Sequence, residues 1–144
     1  MQVRKCAVFI DDDSDFLEAL VSVIEHPRFE IQPIVTQNGY KAIDEVIRRK
    51  PDVLFIDFNL PRANGGQILP VLRATKSLRD VPVFFITGHS EDEILPFINH
   101  VKYQGLLKKS DTLISEVIEK LDSVGAFEPP APGADELPPS GKPA

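Results

Sequence analysis

Apolar and polar positions follow two rhythms along this chain. Five short runs rich in Val, Ile, Leu and Phe, at 7–10, 31–35, 53–56, 83–86 and 105–107, have the length and unbroken apolar character of buried strands. Between them the spacing changes to three and four. Phe16, Leu17, Leu20, Val21 and Ile24 share one helical face, as do Ala42, Ile43, Val46 and Ile47, and later Leu113, Ile114, Val117, Ile118 and Leu121. The third helical stretch, around 68–72, is interrupted by Gly65, Gly66 and Pro70. Pro70 is best accommodated if that helix starts late, near Gln67, with Asn64, Gly65 and Gly66 as the turn leading into it. A fourth helix begins at Ser90, where Ser90 and Glu93 match a capping box. Pro96, one turn further in, predicts that it is short, kinked or mobile.

Five alternations of apolar strand and amphipathic helix predict an α/β fold, a parallel sheet with helices on both faces. Pro33 lies inside the second strand, and proline is tolerated mainly at a sheet edge. In the flavodoxin-like, doubly wound order 2-1-3-4-5 the second strand is an edge, so the expectation is a five-stranded sheet of that order with five flanking helices.

At 144 residues the chain holds one domain with a substantial core. The periodic pattern stops near Val124, and 125–144 contains six prolines, so a folded domain over 1–124 is expected to be followed by a Pro-rich disordered tail. A net charge of −6 with no basic stripe argues against binding to nucleic acid. No apolar run approaches the ~20 residues of a membrane span, and the N-terminal run is followed at once by three aspartates, unlike a signal peptide. A cytoplasmic location without membrane attachment is the expectation. Cys6, the single cysteine, opens an apolar strand and reads as core packing.

In a doubly wound sheet, ligands bind at the carboxyl ends of the strands. Asp11 and Asp12 end the first strand, Asp57 the third, Thr87 the fourth, and Lys108 or Lys109 the fifth. Asp13, Ser14 and Asp15 read as first-turn residues that cap the first helix. Bringing Asp11, Asp12 and Asp57 together sets like charges within a few Å, which requires a cation. Mg²⁺ fits, taking oxygen ligands while keeping waters that a phosphoryl oxygen can replace. Asp12 and Asp57 would bind it directly, Asp11 directly or through water, and the backbone carbonyl of Asn59 would supply another oxygen from a turn fixed by Pro61. An aspartate can attack phosphorus if the charge on the transferring group is neutralised, here by Mg²⁺, a strand-five lysine and the Thr87 hydroxyl.

The segments VFIDDDSDFLEAL, DVLFIDFNLP, VPVFFITGHS and GLLKKSD resemble the acid pair, phosphoacceptor loop, hydroxyl strand and lysine strand of response-regulator receivers, over roughly residues 5 to 123. The resemblance implies that Asp57 is the phosphoacceptor, Asp11 and Asp12 the acid pair, and Thr87 the hydroxyl residue. It implies a stand-alone, chemotaxis-type regulator that receives its phosphoryl group from a sensor histidine kinase or histidine phosphotransfer protein and docks on a downstream protein target. Such a protein is a phosphoacceptor that assists its own phosphorylation, not an enzyme acting on other substrates.

Two positions depart from the family pattern. The lysine is usually followed by proline, whereas here Lys108, Lys109 and Ser110 leave two candidates; aligning Gly105 with the small residue that opens the strand favours Lys109. Leu106 then stands where the family usually has an aromatic residue. Two further readings are a receiver fold that binds partners without phosphorylation, and a haloacid-dehalogenase-type phosphatase using Asp11 and Asp13, for which a late acid pair is wanting. His26, His89 and His100 have no metal-ligand spacing and read as surface residues, His89 in the loop after Thr87. Lys102 and Tyr103 also read as surface.

Overall fold

The apolar runs do form strands, and each extends one to three residues beyond the run itself. The computed structural model describes residues 4–98 and 101–126. In chain order the elements are β1 (Lys5–Asp11), α1 (Ser14–Val23), β2 (Phe29–Val35), α2 (Gly39–Arg49), β3 (Val53–Asp57), α3 (Gly65–Ala74), β4 (Val83–Thr87), α4 (Glu91–Ile98), β5 (Gly105–Lys108) and α5 (Leu113–Ala126). The five strands form one parallel sheet of order β2-β1-β3-β4-β5, the flavodoxin-like order. Asn59–Leu60 and Ala63–Asn64 make a small antiparallel hairpin between β3 and α3. Arg62 at its tip has φ 69° after Pro61, the left-handed corner of a type II turn.

The two-residue period of the strands sorts the core into two layers. Val8, Ile10, Leu54, Ile56, Val83 and Phe85 pack with residues of α2, α3 and α4. Ala7, Phe9, Val53, Phe55, Phe84 and Ile86 pack with α1 and α5. On this second face Phe9, Phe55 and Phe84 stack in a row across three strands, with centroids 4.6 and 5.2 Å apart. The apolar stripe of α5 narrows to Leu113, Val117 and Leu121, leaving Ile114 exposed; in α2, Ile47 is likewise exposed. Cys6 is partly buried against the first layer, as expected of a packing residue.

Pro33 does lie in an edge strand, paired with Phe9 on the inner side. Its carbonyl accepts a hydrogen bond from Arg49 Nη1 at 3.3 Å, and the same nitrogen donates to Gln32 Oε1 at 3.1 Å.

Three expectations are corrected. Helix α3 begins at Gly65, not near Gln67, because Asn64 forms a full capping box: Asn64 Oδ1 accepts from the Gln67 amide at 3.0 Å, and Gln67 Oε1 from the Asn64 amide at 2.9 Å. Pro70 therefore lies past the first turn, on the exposed side of the helix. Gly65 and Gly66 are helical residues whose smallness serves contact: a Cβ on Gly65 would lie 2.4 Å from Phe58 Cδ1, and one on Gly66 2.4 Å from the Phe97 carbonyl.

The box at α4 is only half made. The Glu93 carboxylate accepts from the Ser90 amide and hydroxyl at 2.9 and 3.2 Å, but the Glu93 amide bonds the Ser90 carbonyl. The serine hydroxyl is spent as a donor to the carboxylate. With eight residues and Pro96 inside, α4 is short, as expected.

His26 is buried, 4% exposed, not a surface residue. Its Nδ1 accepts from the Arg28 amide at 3.0 Å, which leaves the proton on Nε2 for Asp122 Oδ1 at 2.7 Å, tying the α1–β2 loop to α5. His100 and residues 127–144, most of the expected tail, lie outside the described residues, while α5 itself runs to Ala126. Among the described residues no helix is long and apolar enough to cross a membrane.

Candidate functional site

Strand parity assembles the site. Asp11 follows Phe9 and Asp57 follows Phe55, each two residues along, so both carboxylates continue the α1–α5 face past the end of the packed core. Lys109 stands in the same relation to Leu107, and its amide extends the ladder by donating to the Thr87 carbonyl at 2.8 Å. Lys109 Nζ lies 3.2 Å from Asp11 Oδ2 and 3.8 Å from Asp57 Oδ2. Lys108 ends β5 with its side chain exposed. The structure thus brings Lys109, of the two candidates, to the acids.

The second oxygen of each buried acid is held by the loop that follows it. Asp11 Oδ1 accepts from the Asp13 amide at 2.9 Å, and Asp57 Oδ1 from the Asn59 amide at 3.2 Å. Asp13 in turn caps α1 by accepting from the Phe16 amide at 3.1 Å, the role expected of it. Asp12 keeps its carboxylate partly exposed while its carbonyl accepts from Gln37 Nε2 at 3.0 Å, which joins the β1–α1 and β2–α2 loops. One oxygen from each of Asp11, Asp12 and Asp57 lies within 4.8 Å of the others.

Charge sets the electrostatics. Burial is the main influence on Asp57, and together with the neighbouring Asp11 charge it pushes the carboxyl up to about 6, against the opposing pull of Lys109 and the Asn59 amide. Burial likewise raises Asp11, opposed by the Asp13 amide and Lys109. Three carboxylates facing one ammonium leave two negative charges when ionised, and all the donors are hard oxygens, so the residues present fit one divalent cation such as Mg²⁺. Asn59 sits at the base of the hairpin, two residues beyond Asp57.

Thr87 is fully buried at the end of β4, and its Oγ1 accepts from the His89 amide at 3.0 Å, which leaves the hydroxyl proton free to donate elsewhere. His89 is exposed, as expected, with Nδ1 3.6 Å from Glu93 Oε1. Together with Phe58, Asn59, Ile94 and Phe97 they line a shallow cleft of about 160 Å³. Leu106 is half-buried beside Phe85 in the ladder, and the Tyr103 ring lies 5.9 Å from the Phe85 ring. Tyr103 is accordingly partly buried rather than purely superficial.

Two contributors were not singled out from the sequence. Gln37 carried no motif. Phe16 was counted in the apolar stripe of α1, yet it is only partly buried, and Lys109 Nζ lies 4.4 Å from its ring centroid.

Comparison with known proteins places this geometry in context. The response regulator receiver domain family matches residues 7–119. The chain is 32% identical over 96 residues to protein-glutamate methylesterase/protein-glutamine glutaminase 2 of Vibrio vulnificus, covering 66% of this chain and 28% of that protein. It is 25% identical over 142 residues to the phosphate regulon transcriptional regulatory protein PhoB of Pseudomonas aeruginosa, covering 94% and 57%. The chain therefore spans only part of these relatives. Among solved structures, the chemotaxis response regulator CheY4 of Vibrio cholerae superposes with TM-score 0.72 at 17% identity, covering 85% of this chain and 99% of that one. The receiver domain of the sensor histidine kinase PA1611 of Pseudomonas aeruginosa, with a magnesium ion coordinated in its active-site cleft, gives 0.69 at 17%, with the same coverage. At these identities the two structures speak to the fold.

Proposed function

The chain belongs to the response regulator receiver domain family, and from that premise we propose that Asp57 accepts a phosphoryl group from the phosphohistidine of a sensor histidine kinase or histidine phosphotransfer protein. The observation that carries this reading is the placement of the Asp57 carboxylate, buried between Asp11 and Lys109 at the carboxyl edge of the sheet.

The Asn59 amide holds one Asp57 oxygen, orienting the other toward the incoming phosphorus. An oxygen of Asp57 forms the new P–O bond as the P–N bond to the donor histidine breaks, and its electron pair returns to the imidazole nitrogen. Lys109 offsets charge on the transferring oxygens, and the Thr87 hydroxyl donates a hydrogen bond to one of them. Asp11, Asp12, Asp57 and the Asn59 carbonyl would hold Mg²⁺, which when bound supplies further neutralisation of phosphoryl charge. The magnesium in the PA1611 receiver supports that assignment. The acyl phosphate carries about −1.5 to −2 charge on three exposed acceptor oxygens in place of the single carboxylate charge, which draws Thr87 and the loop after β4 toward it and alters the surface presented to a downstream protein target. We take the receiver domain to act in the cytoplasm by phosphorylation-dependent docking, without itself contacting nucleic acid or membrane.

The test is labelling by phosphoramidate. Intact-mass analysis is expected to show one phosphoryl group added in Mg²⁺, none in EDTA and none in Asp57→Ala. A second reading, docking without phosphorylation, draws on the aliphatic Leu106. It predicts that partner capture is the same for wild type and Asp57→Ala, with or without beryllofluoride.

A further inference from the structure

The ammonium of Lys109 sits at the end of a long, flexible stem, and no proline follows it to stiffen the backbone, since Ser110 occupies that place. Two kinds of contact hold it: the Asp11 and Asp57 carboxylates at 3.2 and 3.8 Å, and the face of Phe16, whose centroid is 4.4 Å from Nζ. The ring is itself fixed by the acid loop. Asp11 binds the Asp13 amide, Asp13 binds the Phe16 amide, Phe16 faces Lys109, and Lys109 returns to Asp11. The contacts close a ring through α1, β1 and the end of β5.

We propose that Phe16 is a positioning residue for phosphoryl transfer, holding the Lys109 ammonium beside Asp57 through a cation–π contact. This rests on the reading of Asp57 as phosphoacceptor. The two anchors of Lys109 differ in what competes for them. A divalent cation drawn to Asp11 and Asp57 would compete for their oxygens with the ammonium, whereas among the described residues Lys109 is the cation found over the face of Phe16. The quadrupole of the ring draws the ammonium inward, and the contact is partly desolvated, with the Lys109 side chain 30% exposed. An aliphatic side chain at position 16 would still pack against the α1–α5 core layer yet exert no such pull.

The test joins spectroscopy to kinetics. In wild-type protein, NMR should show the Lys109 ε-methylene protons displaced upfield by the ring, and the displacement should persist when Mg²⁺ is added. An unshifted resonance, or one that returns to its ordinary position on adding Mg²⁺, overturns the proposal. Phe16→Leu should slow Mg²⁺-dependent labelling of Asp57 by phosphoramidate roughly three- to tenfold, with Phe16→Tyr restoring it. In a Lys109→Met background, Phe16→Leu should cause no further slowing, because the contact it removes is already gone. A purely structural Phe16 would slow both backgrounds alike, and a wild-type rate in Phe16→Leu would equally refute the inference. If wild-type protein takes no label at all, the assignment of Asp57 fails, while the NMR result still judges the ring contact by itself.

Discussion

The pleat of a strand decides between two adjacent lysines more sharply than any motif. Leu107 is buried on the α1–α5 face, so Lys109, two residues on, continues toward Asp11 and Asp57 while Lys108 is directed away. We expect Lys109→Met to slow labelling of Asp57 by at least roughly tenfold, the worth of a charge-assisted hydrogen bond. Lys108→Met should label at the wild-type rate, and equal effects of the two would sink the assignment. The alternation was present in the sequence, but which face the acids occupy was not, because that depends on the helices that cover it. Asp57 carries a second consequence. Its folded-state value of about 6 exceeds the ordinary 3.8, so folding favours its protonated form. The stability it contributes is complete at low pH and is lost as pH rises through 6, at a cost of up to about 3 kcal/mol. In EDTA, Asp57→Asn should therefore be more stable than wild type by up to that amount at pH 7.5, the gain shrinking toward pH 4.5. Urea titrations giving the same gain at both pH values would contradict this.

Among the elements, helix identity was legible from periodicity, whereas helix starts depended on contacts that no local window contains. Gly65 and Gly66 read as turn residues because glycine is permissive in turns; in fact they let α3 approach Phe58 and Phe97 closely. Gly65→Ala should destabilise by about 1–3 kcal/mol, since the buried Phe58 and Phe85 rings have nowhere to withdraw. Gly66→Ala presses instead on the backbone of the short α4, and the expected signature is faster amide exchange confined to Glu91–Ile98. Unchanged exchange there would show that α4 accommodates the methyl. His26 was missed for the same reason as the glycines: its partner Asp122 is 96 residues away, and nothing near His26 announces it.

For the molecule as a whole, the sheet order followed from the strand–helix alternation and one proline, because few topologies satisfy both. The convergence of Asp11, Asp12 and Asp57 followed from that order, since β1 and β3 are neighbours. Their mutual repulsion makes the whole fold a metal sensor in the thermodynamic sense. Saturating Mg²⁺, at about 100 times its dissociation constant, should stabilise the protein by about 2.7 kcal/mol, a rise on the order of 8 °C in melting temperature. The rise should vanish in Asp12→Ala if that partly exposed carboxylate is a ligand; an undiminished rise would remove Asp12 from the set. The edge at β2 has a different kind of consequence. In a strand the amide and carbonyl of one residue point the same way, and the Pro33 carbonyl is reached from outside by Arg49, so the middle of this border offers neither a donor nor a free acceptor. A foreign strand laid along β2 would find no partner at its centre, which disfavours fibrillar stacking on this border.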